Sequence, residues 1–166
     1  MKNAINIVLF TLAVTGFYTL VGHMVPQKEV HPPAELVIKA GMTTAEMVDM
    51  GKAIAEGKGT CFACHTIGSS AAGRFPDLGN VGVRAATRIP GLTDVDYFAE
   101  TLYEPMAFIV PGYNPGMPAI GKPPIGLSDD EILCVIAFLQ SLGGTPSVTL
   151  QTALKYRSAK SSGTGL

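Results

Sequence analysis

Two thiols and an imidazole occur together in the short sequence Cys61-Phe62-Ala63-Cys64-His65. C-x-x-C-H is the spacing that attaches a c-type haem covalently, because the thiols add to its two vinyl groups and the histidine becomes the proximal iron ligand. A zinc site would need a second pair of ligands, and the third cysteine, Cys134, stands alone among apolar residues. The motif therefore predicts one covalently bound haem with its iron, and an electron carrier is the leading hypothesis.

Composition limits what else the chain can do. It has 166 residues, a formal net charge of -1 and 47% apolar residues, which fits one small domain with a hydrophobic extension. This charge gives no sign of a basic surface for nucleic acid. The sequence also shows no Gly-rich phosphate loop or Ser-His-Asp arrangement with convincing context. We therefore expect no nucleic-acid partner and no catalysis by the protein alone. Cys134 is interpreted as a small buried hydrophobic residue.

The first 26 residues form an apolar segment. Lys2 is its one Lys, Arg, Asp or Glu, and its length is sufficient to span a bilayer. A cleaved secretory signal is the alternative, but residues 21–26 offer no good small-x-small cleavage site. The segment is therefore predicted to be a single retained anchor in the cytoplasmic (inner) membrane. Lys2 favours a cytoplasmic N-terminus, which places the following domain on the periplasmic or equivalent side.

Three further segments follow this anchor. Residues 27–42 are predicted to be a stiff, partly extended tether, because prolines at 26, 32 and 33 oppose a helix. Residues 43–144 form the predicted haem domain. Residues 145–166 form an extended C-terminal tail without acidic residues, rich in Ser, Thr and Gly towards its end, which by itself should be disordered. Such a tail could become ordered along another subunit.

Helical signals predict an all-α domain. Thr43 is a candidate N-cap for a helix that ends near Gly57, and Thr93 is a candidate N-cap for a second helix over residues 94–103. Ser128 opens a capping box for the third, which ends at residues 143–144. Residues 132–139 are apolar on every face of this third helix. Either the haem and the first helix bury this run, or part of it faces a partner.

The chain resembles the class I cytochrome c family over roughly residues 45–143. The resemblance rests on a helix containing Gly51, then the C-x-x-C-H motif, the run Phe75-Pro76-Asp77-Leu78, Met117-Pro118 and a final helix. It implies the cytochrome c fold, small helices around one covalent haem, with Gly51 close to residues 135–139 where the first and last helices cross. The family usually has an aromatic residue four positions after this glycine, where Ala55 stands here.

The resemblance also implies roles for individual residues. The Pro76 carbonyl would accept the Nδ1 proton of His65 and fix the ring, as partners behind a metal ligand commonly do. Leu78 would line the haem. Arg84, or alternatively Arg88, would lie near a haem propionate, where a planar cation suits a carboxylate. The alternative for Arg84 is a solvated surface side chain.

The sixth iron ligand is predicted to be Met117. This methionine lies between Pro115-Gly116 and Pro118, which favours an extended loop of fixed direction. Met47 and Met50 are interpreted as core residues, Met24 lies at the membrane end, and Met106 lies beside a proline near a helix end. His31 is the alternative ligand.

Two function classes follow, the first with a variant. The run 104–118 is similar to haem domains attached to membrane respiratory complexes, which implies a subunit of a larger membrane oxidoreductase. Such a subunit would pass electrons between a neighbouring redox centre and a soluble carrier or terminal acceptor. The variant is a membrane-tethered shuttle without stable partners. The other class is a haem sensor or peroxidase, which needs an open or easily displaced sixth position.

Overall fold

The computed structural model describes residues 1–25, 36–69 and 73–156, and these residues form helices and loops without strands. The all-helical prediction is therefore confirmed. The helices are α1 (Lys2–Met24), α2 (Thr44–Glu56), α3 (Val81–Arg88), α4 (Asp94–Tyr103) and α5 (Asp129–Ser141), with a short 3-10 turn at Cys61–Ala63. The chain forms two compact units, of which the first contains α1 and the second contains the other helices.

Helix α1 is long and apolar enough to cross a membrane. Its 23 residues rise roughly 35 Å, which exceeds the hydrocarbon thickness of about 30 Å. None of its residues is buried within the protein. The hydroxyls of Thr11 and Thr19 donate to the carbonyls of Ile7 and Thr15, at 2.9 and 2.8 Å, so these polar groups are satisfied within the helix. A membrane anchor and a signal sequence both have these properties.

In the second unit, each of the three predicted helices starts at the N-cap residue that the sequence predicted. The Thr43 and Ser128 side chains form capping boxes with Glu46 and Glu131. The Thr93 hydroxyl accepts from the backbone of α4 at residue 96. These side chains satisfy amides that a helix start leaves without partners, so local sequence is sufficient to fix where the helices begin.

Helices α2 and α5 cross in contact at Gly51. A Cβ at this position would overlap the carbonyl oxygen of Cys134 and lie 2.9 Å from the Cβ of Phe138. The crossing expected from the family resemblance is therefore present, and it needs a glycine because the two backbones touch. Ala55, one turn further along α2, is also buried in this contact region.

The apolar run of α5 is covered by its own domain. All side chains from Ile132 to Leu139 are buried, so the alternative that part of this run faces a partner is wrong. Cys134 has no exposed surface, and its burial raises the pKa of the thiol to about 11. The interpretation of this cysteine as a core residue is confirmed.

Helix α3 was not among the predicted helices. It begins after Asn80, whose backbone is left-handed (φ 55°) and whose side chain does not cap the helix. Asn is a preferred N-cap residue, but the usual hydrogen bond from the helix start to the cap side chain is missing here. Val81 and Ala85 are buried, which places α3 against the domain core.

Residues 145–156 pack onto the domain, so the expectation that the isolated tail is disordered is wrong for this part. Val148 and Leu154 are buried in the core. The buried Gln140 accepts from the amide of Ser147 at 3.0 Å and donates to the carboxylate of Asp94 at 2.5 Å, which joins the tail, α5 and the start of α4. Tyr156 stacks on a tyrosine of α4, with 5.8 Å between ring centroids.

Parts of the predicted tether and tail fall outside the described residues, namely positions 27–35, with His31, and positions 157–166. The described end of the tether, residues 36–42, contributes Ile38 and Met42 to the surface of the core.

Candidate haem site

A single cavity in the second unit brings together the residues that the sequence selected. Cys61, Cys64, His65 and Met117 all line it. The walls are mainly apolar and come from α2, α3, α4, α5 and the loops between them, including Ala55, Val81, Phe98, Leu102, Ile120, Val135 and Leu139. A flat, largely apolar group bearing two vinyl substituents fits this surface, because the reactive thiols and apolar side chains share one cavity.

The C-x-x-C-H motif is folded into a tight turn. The amides of Cys64 and His65 both donate to the carbonyl of Cys61, at 3.2 and 2.9 Å. The chain enters this turn past Gly59. A glycine is needed there because a Cβ would lie 2.9 Å from the carbonyl oxygen of Ile54. Cys61 is half-buried and burial raises the pKa of its thiol, whereas Cys64 is exposed. All three residues line the cavity, so the turn brings the two thiols and the histidine together there.

The orientation of His65 is set by the chain itself. Its Nδ1 lies 2.7 Å from the carbonyl oxygen of Pro76, the contact expected from the family resemblance. A carbonyl only accepts, so Nδ1 carries the proton and Nε2 is left with a free lone pair for a metal. The ring of Phe75 lies beside the imidazole, with 6.3 Å between ring centroids.

Asp77 anchors the loop that follows the motif, a role that the sequence analysis missed. Its carboxylate accepts from the Thr66 hydroxyl at 2.6 Å and from the amides of Gly68, Ser69 and Gly79 at 3.0, 3.0 and 2.7 Å. These bonds, the Thr66 hydroxyl first, lower the pKa of Asp77 to about 2. The sequence signal was an Asp two residues before Gly79, the spacing at which an Asp side chain commonly accepts from a turn amide.

Arg84 lines the cavity from α3 and is half-buried, so the solvated surface interpretation is wrong. Its guanidinium donates to the carbonyl oxygens of Gly79 and, at 3.0 Å, of Asp77. Its Nε is buried and lacks a hydrogen-bond partner among the described residues. A buried N–H without a partner fits an additional acceptor such as a propionate oxygen, and Arg88 lines the same cavity. The contact with a propionate remains a prediction for either arginine.

Met117 is the best placed of the candidate sulfur ligands. It lines the cavity and is half-buried against the core. Met106 also lines the cavity but is 53% exposed, whereas Met47 is fully buried in the core. Met50 packs at the edge of the core, and Met24 belongs to the other unit.

Aromatic contacts at the cavity wall were also missed. Phe62, inside the C-x-x-C-H motif, packs edge-on against Phe138 of α5, with 6.4 Å between ring centroids. This pair places an aromatic ring in the region where α2 and α5 are in contact. Helix α2 has Ala55 in that region, where the family usually has an aromatic residue. Tyr97 of α4 makes a similar contact with Phe108, at 6.1 Å. These contacts join segments distant in sequence, so periodicity within one segment cannot reveal them.

A comparison with protein-family models shows the family of this chain. A model described as cytochrome c matches residues 48–143, which is more than half of the chain. The chain belongs to the cytochrome c family. The family fold and one covalent haem c with iron are thereby established, together with haem-based electron transfer as the general activity. No curated protein matches the chain. Within the described residues no cluster of three or more His, Cys, Asp and Glu side chains offers another metal site.

Proposed function

We propose that the chain is a membrane-anchored, mono-haem electron-transfer protein whose iron is bound by His65 and Met117. The observation that carries this proposal is that both side chains line the same apolar cavity as the two attachment cysteines. A bound haem supplies a one-electron couple between ferrous and ferric iron. Cys61 and Cys64 hold the group covalently, and the Pro76 carbonyl fixes the coordinating nitrogen of His65.

The remaining residues control the surroundings of the iron. Apolar side chains from four helices line the cavity and would shield a bound haem from water, which would keep reorganisation on electron transfer small. A thioether from Met117 favours the reduced state and raises the potential relative to a second imidazole. Arg84 offers a fixed positive charge and a free N–H for a carboxylate at the cavity edge.

Electron transfer and gas sensing or peroxidase chemistry differ at the sixth position. Met117 at the cavity favours electron transfer, because a sensor or peroxidase needs that position open. We expect the ferrous full-length protein to bind carbon monoxide slowly and incompletely. Prompt and complete binding would contradict the proposal and favour a sensor or enzyme. Visible spectroscopy after mixing measures the rate.

We further propose that α1 is retained as an anchor, with the haem domain on the periplasmic or equivalent face. Its length and its apolar surface on every face support this. Mass spectrometry of the mature protein provides the test. A chain that begins near Met1 and resists carbonate extraction from membranes supports the anchor. Loss of residues up to the end of α1 would identify a signal sequence.

We propose that the protein is a subunit of a larger membrane oxidoreductase. Apolar side chains around the cavity support this, since Met106 and Ile109 line it and remain 53% and 39% exposed. Such surfaces commonly mark contacts with other proteins. Native membranes solubilised in mild detergent, separated on a native gel and stained for haem, provide the test. Comigration with a large assembly is expected, whereas a haem band at monomer size would favour the tethered shuttle.

A further inference from the structure

The loop between His65 and Pro76 is closed at its base by hydrogen bonds. It leaves the iron-binding histidine at Thr66 and returns at Pro76, whose carbonyl accepts the His65 Nδ1 proton. Immediately beyond this contact, Thr66 and Asp77 face each other, with 2.6 Å between the hydroxyl and the carboxylate. The amide of Leu78 donates to the carbonyl of Thr66 at 2.7 Å. The two chain segments are therefore paired in one register next to the imidazole.

The Asp77 carboxylate is the centre of this closure. Its Oδ2 accepts from the Thr66 hydroxyl and the Ser69 amide, and its Oδ1 accepts from the amides of Gly68 and Gly79. An ionised carboxylate has about four acceptor positions, so four donors match its capacity. An asparagine has one acceptor oxygen, and its NH₂ group would face the hydroxyl and amide donors around this position, with which it cannot replace the lost bonds.

We propose that Asp77 is a positioning residue for the proximal ligand: it closes the loop base through Thr66 and thereby holds the Pro76 carbonyl against the imidazole of His65. This inference rests on the proposed ligation of iron by His65. Asp77 lies beside Pro76 in the chain, so a displacement of its carboxylate is passed directly to that carbonyl. Hydrogen bonds to charged acceptors are about twice as strong as neutral ones, which suits a fixed contact.

The proposal predicts how the histidine changes when the closure is loosened. A weaker bond from Nδ1–H to the Pro76 carbonyl makes the imidazole less electron-donating, which disfavours the ferric state and raises the midpoint potential. It also exposes the ring N–H to exchange with solvent. Loss of about 1.4 kcal/mol in this contact corresponds to a tenfold faster exchange.

The experiment uses the full-length haem-loaded protein and four variants. Thr66→Val removes one bond to Asp77 without changing charge, and Thr66→Ser restores the hydroxyl. Asp77→Asn removes the centre of the closure. Asp49→Asn, at an exposed position of α2, is the control with the same change of charge. NMR of the ferrous, diamagnetic protein measures exchange of the His65 Nδ1 proton, and redox titration measures the midpoint potential.

We expect exchange to become about tenfold faster in Thr66→Val and faster still in Asp77→Asn, with wild-type rates in Thr66→Ser and Asp49→Asn. The potential should rise in Thr66→Val and return in Thr66→Ser. Wild-type exchange and potential in Thr66→Val would overturn the proposal, and the two Thr66 variants decide it if Asp77→Asn fails to mature. Paramagnetic shifts of the His65 ring protons in the ferric wild type report the ligation separately. Failure of the proposed function is therefore distinguishable from failure of this inference.

Discussion

The two segments that carry the proposed iron ligands are organised in different ways. The proximal segment, residues 61–69 and 73–79, is held by its own hydrogen bonds, with His65 bonded to Pro76 and four donors converging on Asp77. The distal segment, residues 105–118, contains prolines at 105, 111, 115 and 118, which have no amide proton to donate. Turn bonds from Ala107 to Glu104 and from Tyr113 to Val110 occur there.

This difference separates two ways of placing a ligand. The proximal histidine is positioned by the polypeptide, whereas Met117 is positioned by proline geometry and by packing against the cavity and the core. The proximal segment should therefore be sensitive to small changes in shape. The distal segment should tolerate them, provided that the sulfur is kept. Four experiments test this contrast.

Replacement of the distal ligand should have the largest effect. In Met117→Ala, the ferric Met-to-iron absorption band should disappear, and the ferrous protein should bind carbon monoxide promptly. The midpoint potential should fall by on the order of a tenth of a volt or more, within the about 0.8 V span that axial ligands set. Haem should stay attached because the cysteines are unchanged. Met106→Ala is the matched control, and loss of the band in that variant instead would identify Met106 as the ligand.

A methyl group added to each segment compares their shape tolerance directly. A Cβ at Gly79 would lie 2.7 Å from the Asp77 carboxylate and 2.8 Å from the amide nitrogen of Gly68, whereas a Cβ at Gly116 meets nothing within 4 Å. Gly79→Ala should lower the free energy of unfolding by about 3 kcal/mol. Gly116→Ala should change it by less than about 0.5 kcal/mol. Denaturant unfolding of both variants measures the difference, and equal losses would remove the contrast.

Loosening the helix that leads into the distal segment gives a smaller effect. Gln140→Leu leaves the carboxylate of Asp94, at the start of α4, and the amide of Ser147 without this partner. The free energy of unfolding should fall by about 1 kcal/mol, because Asp94 is half-buried and Ser147 is exposed, so water replaces part of the lost hydrogen bonding. The same change at exposed Gln151 is the control. Hydrogen exchange should increase in α4 and the tail but not at residues 66–69, and the opposite distribution would contradict the separation of the segments.

Acid should produce the smallest effect, confined to the proximal segment. The pKa of Asp77 is lowered from 3.8 to about 2, chiefly by the Thr66 hydroxyl, so its contribution to stability is present above about pH 4 and is lost as the pH falls through 2. The difference in stability between wild type and Asp77→Asn should stay constant from pH 7 to about 4 and then shrink. Parallel unfolding curves measure it. A difference that grows on acidification would show that the carboxylate is not stabilised in the folded protein.

Local signals in the sequence predicted much of the helical fold. The capping residues Thr43, Thr93 and Ser128 mark helix starts that the structure reproduces, because each cap bonds amides only a few residues away. Helix α3 escaped prediction because it is short and lacks a side-chain cap. The burial of Val148 and Leu154 escaped for a different reason: their sites are built by distant helices.

The site shows the same division between local and distant information. The C-x-x-C-H spacing was sufficient to locate the haem attachment, since its chemistry lies within five residues. The His65 to Pro76 bond was expected from the family resemblance. The hydrogen bonds that converge on Asp77 and the contact between Phe62 and Phe138 depend on where loops and helices meet. Composition and periodicity do not contain that information.

The packed tail also has a consequence for biosynthesis. Because Val148 and Leu154 belong to the core, the core of the haem domain stays incomplete until residue 154 has been made. At a synthesis rate of about 5–20 residues per second, the cysteine motif precedes Leu154 by at least several seconds. During that interval the two thiols belong to a chain whose cavity is not yet complete, so they are open to reaction before the folded domain covers Cys61.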